Sequence, residues 1–325
     1  MTLLSLDNIP ALQSEVRSLA AERGAVILAH NYQLPEVQDV ADFVGDSLGL
    51  SQQAARTDAE VIAFCGVHFM AETASILSPD KTVLLPDPDA GCSLADSISA
   101  PQLRAWKAQH PGAVTVMYVN TTAEVKAETD YCVTSSNAVQ VVEHIYREHG
   151  EDTEILFGPD MFLGAYVEKV TGRPMRVWDG ECHVHAGIRP ADIREMRSSH
   201  PDADFLIHPE CGCSTSVMEY VAAGDVDPDG VHMLSTGGML GYAKGAPAGA
   251  TAIVATETGM LHPLREARPD VDFVAANEAA SCRFMKMITL PKLRDALREM
   301  APVVKVPEAV AERARLPIER MVAIG

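Results

Sequence analysis

The chain has 325 residues, 47% of them hydrophobic and 22% charged, which is long enough to bury more than one core and is an ordinary globular composition. Its net charge of −19 argues against nucleic acid, whose phosphates need clustered Lys and Arg. No apolar run approaches the roughly 18–20 residues of a membrane span, and the opening Met1-Thr2-Leu3-Leu4 lacks the basic-then-apolar layout of a secretory signal, so a cytoplasmic protein is expected.

Only 5% of residues are aromatic, so small aliphatic side chains must fill the cores, which suits α/β layers. Residues 1–24 read as an amphipathic helix, with Leu3, Ile9, Leu12, Val16 and Leu19 near helical spacing and Arg23-Gly24 as its end. Ala25-Val26-Ile27-Leu28-Ala29 is a continuous apolar run, the pattern of a parallel strand buried on both faces. It stops at His30-Asn31-Tyr32. Phe43-Val44 then runs into Gly45-Asp46-Ser47. Val61 to Phe64 and Val83 to Leu85 read as further strands, and Cys92 follows the latter after a Pro/Asp turn.

The same order returns twice. Val114 to Met117 ends at Tyr118-Val119-Asn120, Tyr131 to Val133 runs into Thr134-Ser135-Ser136, Ile155 to Phe157 follows, and Met175 to Trp178 leads to Cys182. Phe205 to Ile207 ends at His208-Pro209-Glu210, Val231 to Leu234 runs into Ser235-Thr236-Gly237-Gly238, Ala252 to Ala255 follows, and Phe273 to Ala275 leads to Cys282. Polar strand ends stand at 30, 118 and 208, hydroxyl turns at 47, 135 and 235, and cysteines at 92, 182 and 282. Landmarks recurring in one order at about 90 to 100 residues imply three copies of an α/β unit. Ligand crevices of open parallel sheets lie beyond the carboxyl ends of the strands. Three such units facing one another would therefore bring their polar ends and their cysteines to one central site.

Seven cysteines in a chain of this size do not read as a disulfide scaffold. Cys65 and Cys132 sit inside apolar runs and read as buried small hydrophobes. Cys92, Cys182 and Cys282 occupy equivalent positions, which leaves a three-cysteine iron–sulfur cluster with an open iron, a three-cysteine zinc site, or three buried thiols. His183 and His185 have no counterpart in the other copies and read as cap or supporting residues. Cys211-Gly212-Cys213 occurs in one copy only and reads as a local structural feature.

His30, Tyr32, Tyr118, His208 and Glu210 are residue types that move protons near neutral pH. Ser47, Asn120, Ser135, Ser235 and Thr236 read as helix caps or as binders of carboxylate and phosphate. Neither a G-x-G-x-x-G nor a Walker A loop is present.

Ala29-His30-Asn31-Tyr32, Gly45-Asp46-Ser47, Tyr118-Val119-Asn120, Thr134-Ser135-Ser136, His208-Pro209-Glu210-Cys211, Ser235-Thr236-Gly237-Gly238-Met239, Thr256-Glu257 and Met285-Lys286-Met287 closely resemble the quinolinate synthase family, from about residue 25 to residue 292. The resemblance implies three homologous α/β/α three-layer domains, each with a small parallel sheet, in a pseudo-threefold arrangement around a central active site. We place them at residues 1–91 plus 283–325, 92–181 and 182–282. It implies condensation of iminoaspartate with dihydroxyacetone phosphate to quinolinate, with loss of phosphate and water, for NAD biosynthesis. It also implies a [4Fe–4S] cluster on Cys92, Cys182 and Cys282 whose open iron is a Lewis acid, and an L-aspartate oxidase upstream as source of the imine.

Position by position, the resemblance makes Tyr32, Tyr118 and Glu210 proton-transfer residues and makes His30 and His208 orienting or acid/base groups. Ser47, Asn120, Ser135, Ser235 and Thr236 become substrate binders. The chain lacks the Cys-x-x-Cys that some members carry near the third cysteine, and Cys213 has no counterpart in members with a single cysteine there. The competing readings are an aconitase-like cluster hydro-lyase and an iron–sulfur sensor. The sensor would need a basic DNA-reading segment, and none is present.

Overall fold

A computed structural model describes residues 8–223 and 229–324. Among these residues twelve strands form three four-stranded sheets, all pairings within them parallel. The first holds β1 (Ala25–His30), β2 (Phe43–Gly45), β3 (Val61–Cys65) and β4 (Thr82–Leu84) in the order β2-β1-β3-β4. The second holds β5 (Val114–Tyr118), β6 (Tyr131–Val133), β7 (Ile155–Gly158) and β8 (Arg176–Val177) in the order β6-β5-β7-β8. The third holds β9 (Asp204–Ile207), β10 (Val231–Met233), β11 (Thr251–Ala255) and β12 (Asp272–Ala275) in the order β10-β9-β11-β12. The repeat read from spacing is thus a repeat of topology.

Helices cover the sheets because the central strands are apolar on both faces. Every residue of β3 is buried, as is the whole of β7. Cys65 and Cys132 are fully buried within β3 and β6, as expected for small hydrophobes. The first described helix is Ile9–Glu22, with a proline in its first turn; Leu3 lies outside the described residues. Two expected strands are shifted or shorter for local reasons. The N–H of Leu85 donates to Pro302 O (3.2 Å) instead of continuing β4. Met175 gives its N–H to Glu168 Oε1 (2.6 Å), so β8 begins one residue later.

The C-terminal segment fastens the first two sheets. The helix Leu290–Glu299 packs on Ile9–Glu22, where Arg298 reaches Glu15 at 2.5 Å. The final helix, Glu308–Ala323, packs on both His68–Leu77 and β6, and Met321 O accepts from Asn137 Nδ2 (2.9 Å). Among the described residues no helix is long and apolar enough to cross a membrane.

Candidate active site

One inner strand of each sheet brings the residues at and just past its carboxyl end to one pocket. β1 supplies His30 and Tyr32, β5 supplies Tyr118 and Asn120, and β9 supplies His208 and Glu210; all six line it. In the first and third sheets the geometry is the same. His30 Nδ1 accepts the N–H of Tyr32 (3.1 Å) and His208 Nδ1 accepts the N–H of Glu210 (3.3 Å). An accepting Nδ1 places the proton of the neutral ring on Nε2. For His208 that Nε2–H donates to Ser135 Oγ at 3.1 Å.

These side chains form one buried hydrogen-bonded cluster. The Tyr118 phenol donates to Glu210 Oε1. Tyr32 OH lies 2.6 Å from Thr256 Oγ1 and 3.1 Å from His185 Nε2. His185 Nδ1 is 3.2 Å from Cys182 Sγ and 3.5 Å from Glu210 Oε2. Burial governs their acidity. It pushes the Glu210 carboxyl up to about 8, with the charge of Asp160 adding to the effect. It lowers His30 to about 3, assisted by Lys286 and His185, and His185 to about 4, while His208 also falls well below the usual imidazole range. Tyr32 and Tyr118 are both raised, by burial first and the Glu210 charge second. At neutral pH the cluster therefore holds neutral groups able both to give and to take a proton.

Cys92, Cys182 and Cys282 open on the same pocket, one from the loop after the edge strand of each sheet. All three are half-buried, and their surroundings repeat. Each carbonyl accepts the N–H four residues on, so each cysteine starts a helical turn: Asp96 N to Cys92 O, Ala186 N to Cys182 O and Lys286 N to Cys282 O, at 3.2, 2.8 and 3.1 Å. Near each sulfur lie two backbone N–H groups, those of Leu94 and Ala95, of Val184 and His185, and of Phe284 and Met285. Burial raises all three thiols, and these donors oppose it by favouring thiolate. Cys182, His185 and Glu210 also present ligand atoms within 4.8 Å of one another, so this edge of the pocket is rich in metal-binding groups. At Gly180 in the second loop a Cβ would stand 2.6 Å from Ser97 Oγ, so a larger residue there would displace Ser97.

The chain matches the family model described as Quinolinate synthetase A protein over residues 14–323. It belongs to the quinolinate synthase family. It is 58% identical over 313 residues to the quinolinate synthase of Mycobacterium sp. (strain KMS), covering 96% of this chain and 91% of that one. The quinolinate synthase of Thermus thermophilus (strain ATCC 27634) is 58% identical over 315 residues, 97% of this chain and 98% of that one. That of Mycobacterium tuberculosis (strain ATCC 25177 / H37Ra) is 57% identical over 313 residues, 96% of this chain and 88% of that one. The relatives are named quinolinate synthases, and this chain is an enzyme of that family.

The hydroxyl and amide residues of this quinolinate synthase family member divide into two groups. Ser47, Asn120, Ser135 and Thr236 line the pocket. Asn120, which lines the pocket, has a buried Oδ1 with no protein hydrogen-bond partner. Ser235 is not in the lining; its Oγ caps the helix Thr236–Gly245 by accepting from Gly238 N (3.2 Å).

The structure adds residues that sequence reasoning passed over. His185, read as a supporting residue, is buried among Tyr32, Cys182, Thr256 and Glu210, and only the other histidine, His183, is exposed, 2.7 Å from Ser93 Oγ. Asp46 joins two copies by accepting from Gly49 N (2.8 Å) and Ser136 Oγ (2.6 Å). Thr256, Glu257 and Asp160 follow strand ends, and that equivalence was the signal available for them. Cys211 and Cys213 form a buried disulfide directly after Glu210, a local closure and not a scaffold.

Proposed function

We propose that the chain condenses iminoaspartate with dihydroxyacetone phosphate to quinolinate, releasing phosphate and water, as a cytoplasmic step of de novo NAD biosynthesis. The observation that carries the reading is the meeting of one cysteine per sheet, each starting a helical turn, with the Tyr32–Tyr118–Glu210–His208 cluster in a single pocket. The proposed domains are residues 1–91 plus 283–325, 92–181 and 182–282, related by a pseudo-threefold axis through that pocket.

Cys92, Cys182 and Cys282 would hold a [4Fe–4S] cluster. The donor set suits it: three thiols, one from each sheet, open on one pocket, and thiolates favour iron–sulfur clusters. When bound, the cluster supplies an open iron that polarises a substrate oxygen without redox change. The remaining work belongs to side chains. Ser47, Asn120, Ser135 and Thr236, with the Nε2–H of His30, bind carboxylate and phosphate oxygens, and His208 orients the Ser135 hydroxyl for them. Ser235 contributes through the helix it caps. Tyr118 and Glu210 exchange a proton with substrate at the phenol and at the carboxyl, and Tyr32 does so backed by Thr256 and His185. Buried surroundings exclude water from the unstable imine, which an L-aspartate oxidase would supply.

The test is anaerobic purification of the parent and of Cys92→Ser, Cys182→Ser and Cys282→Ser, with iron, sulfide and visible absorbance measured before quinolinate formation. The parent is expected to hold about four irons per chain and each variant to lose cluster and activity. A variant that keeps both sinks the three-cysteine reading. Turnover of a hydroxy acid in place of quinolinate formation would indicate an aconitase-like hydro-lyase.

A further inference from the structure

The loop that carries each cysteine is tied by one repeated hydrogen bond to the helical segment that follows the neighbouring strand. His68 N donates to Ala90 O, Met161 N to Gly180 O and Thr258 N to Ala280 O, each at 2.8 Å. Each acceptor lies two residues before a cysteine. These bonds align Val67, Asp160 and Glu257 as the same position in the three copies, the second residue past the end of β3, β7 and β11.

Two of the three are carboxylates with no exposed surface. Asp160 Oδ2 accepts the backbone N–H of Cys182 at 3.1 Å, while its Oδ1 accepts from Phe162 N (2.7 Å) and Leu163 N (3.1 Å). Glu257 Oε1 accepts the backbone N–H of Cys282 at 2.8 Å, while its Oε2 accepts from Gly259 N (2.7 Å). Lys286 Nζ stands 3.0 Å from Glu257 Oε1. The two side chains differ in length yet reach the same atom of the equivalent cysteine. The third position is Val67, which offers no acceptor.

We propose that Asp160 and Glu257 are positioning residues for the cysteines, each clamping the backbone of one cluster ligand to the adjoining helix start. The proposal rests on the assignment of Cys92, Cys182 and Cys282 as cluster ligands. One oxygen of each carboxylate is fixed by the N-terminal turn of the following segment, so the other is a rigid acceptor. A clamped N–H holds the cysteine Cα, and with it the direction of the thiolate, before any metal arrives. Partners behind a metal ligand characteristically set its geometry and affinity in this way. The clamp also divides the three ligands into two kinds. Cys182 and Cys282 are held through buried carboxylates, and Cys92 is held without one.

The experiment uses the full-length, cluster-loaded protein under anaerobic conditions. Parent, Asp160→Asn and Glu257→Gln are mixed with a ferrous-iron chelator and a cysteine-alkylating reagent, and iron release and labelling of each cysteine are followed by absorbance and mass spectrometry. Both variants keep side-chain shape and remove a carboxylate oxygen. Iron release is expected to quicken roughly tenfold or more. Cys182 should become the first cysteine labelled in Asp160→Asn and Cys282 the first in Glu257→Gln. Release at the parent's rate, or labelling of all three cysteines together as in general unfolding, overturns the clamp. A parent that holds no iron instead removes the cluster assignment itself. Should a variant fail to fold, hydrogen exchange on the loaded parent decides: amides at Cys182 and Cys282 are expected to be slow, and exchange there as fast as in an unstructured peptide overturns the proposal.

Discussion

The phenol of Tyr118 and the carboxyl of Glu210 share a hydrogen bond across 92 residues of chain, from the end of β5 to the end of β9. If this pair moves protons as a unit, removing either partner removes the function of both. Tyr118→Phe and Glu210→Gln are each expected to lower kcat for quinolinate formation by roughly 10²–10⁴-fold. The double variant should be little worse than either single one. Steady-state kinetics on the four proteins checks this, and fully multiplicative losses would mean that the residues act separately.

The pocket's acidities predict a pH dependence of stability. Glu210 is raised in the folded protein, so its contribution is complete below the ordinary glutamate value and is lost as pH rises toward about 8. His30 and His185 are lowered, so theirs is complete above about 6.5 and is lost as pH falls toward about 4 and then about 3. Glu210→Gln should therefore flatten the decline in melting temperature between pH 5 and pH 8 while leaving the acid limb in place. The gain at pH 8 should be of the order of a few kcal/mol at most. A parent-like decline in the variant would assign it to other groups.

Lys126 is fully buried, with its ammonium donating to Thr121 O and lying 5.3 Å from the centroid of the Phe69 ring. Thr121 stands three residues past the end of β5, as Gln33 stands three past the end of β1, and Gln33 O accepts from Gln38 Nε2 at 2.9 Å. An ammonium and an amide thus brace equivalent turns, one behind Asn120 and one behind Tyr32. Lys126→Met leaves Thr121 O unpaired and Glu72 without a nearby cation, so the melting temperature should fall. KM should rise about tenfold as the turn loosens. Lys126→Gln should restore KM, since a glutamine already performs this role at position 38. No change in KM for Lys126→Met would show that the turn stands without its brace.

Cys65 and Cys132 are fully buried, and burial raises both thiols, Cys132 to about 12, so neither offers a thiolate to a metal at neutral pH. Replacing either with Ala should cost about 1 kcal/mol of stability from the lost packing. Iron content should be unchanged. Loss of iron from either variant, measured beside the Cys92, Cys182 and Cys282 variants, would place a metal ligand inside the sheets.

Much of this protein was legible in the sequence, because the signals concerned are local along the chain. Apolar runs such as Val61–Cys65 mark strands that must be covered on both faces, and their threefold return with polar ends and a cysteine in train located the sheets, the pocket-lining strand ends and the three thiols. The tertiary structure decided what each residue touches. His185 meets Thr256 across 71 residues and Tyr32 across 153, and Asn31 donates to Thr236 Oγ1 across 205. Ser235 turns into a cap while its neighbour Thr236 enters the pocket. Asp160 and Glu257 look like ordinary acidic loop residues until the strand ends bring them, fully buried, against the N–H groups of Cys182 and Cys282. Hydrophobic periodicity is fixed by neighbours in sequence, whereas a buried hydrogen bond is fixed by which distant donors and acceptors are dehydrated together, and only the packed chain settles that.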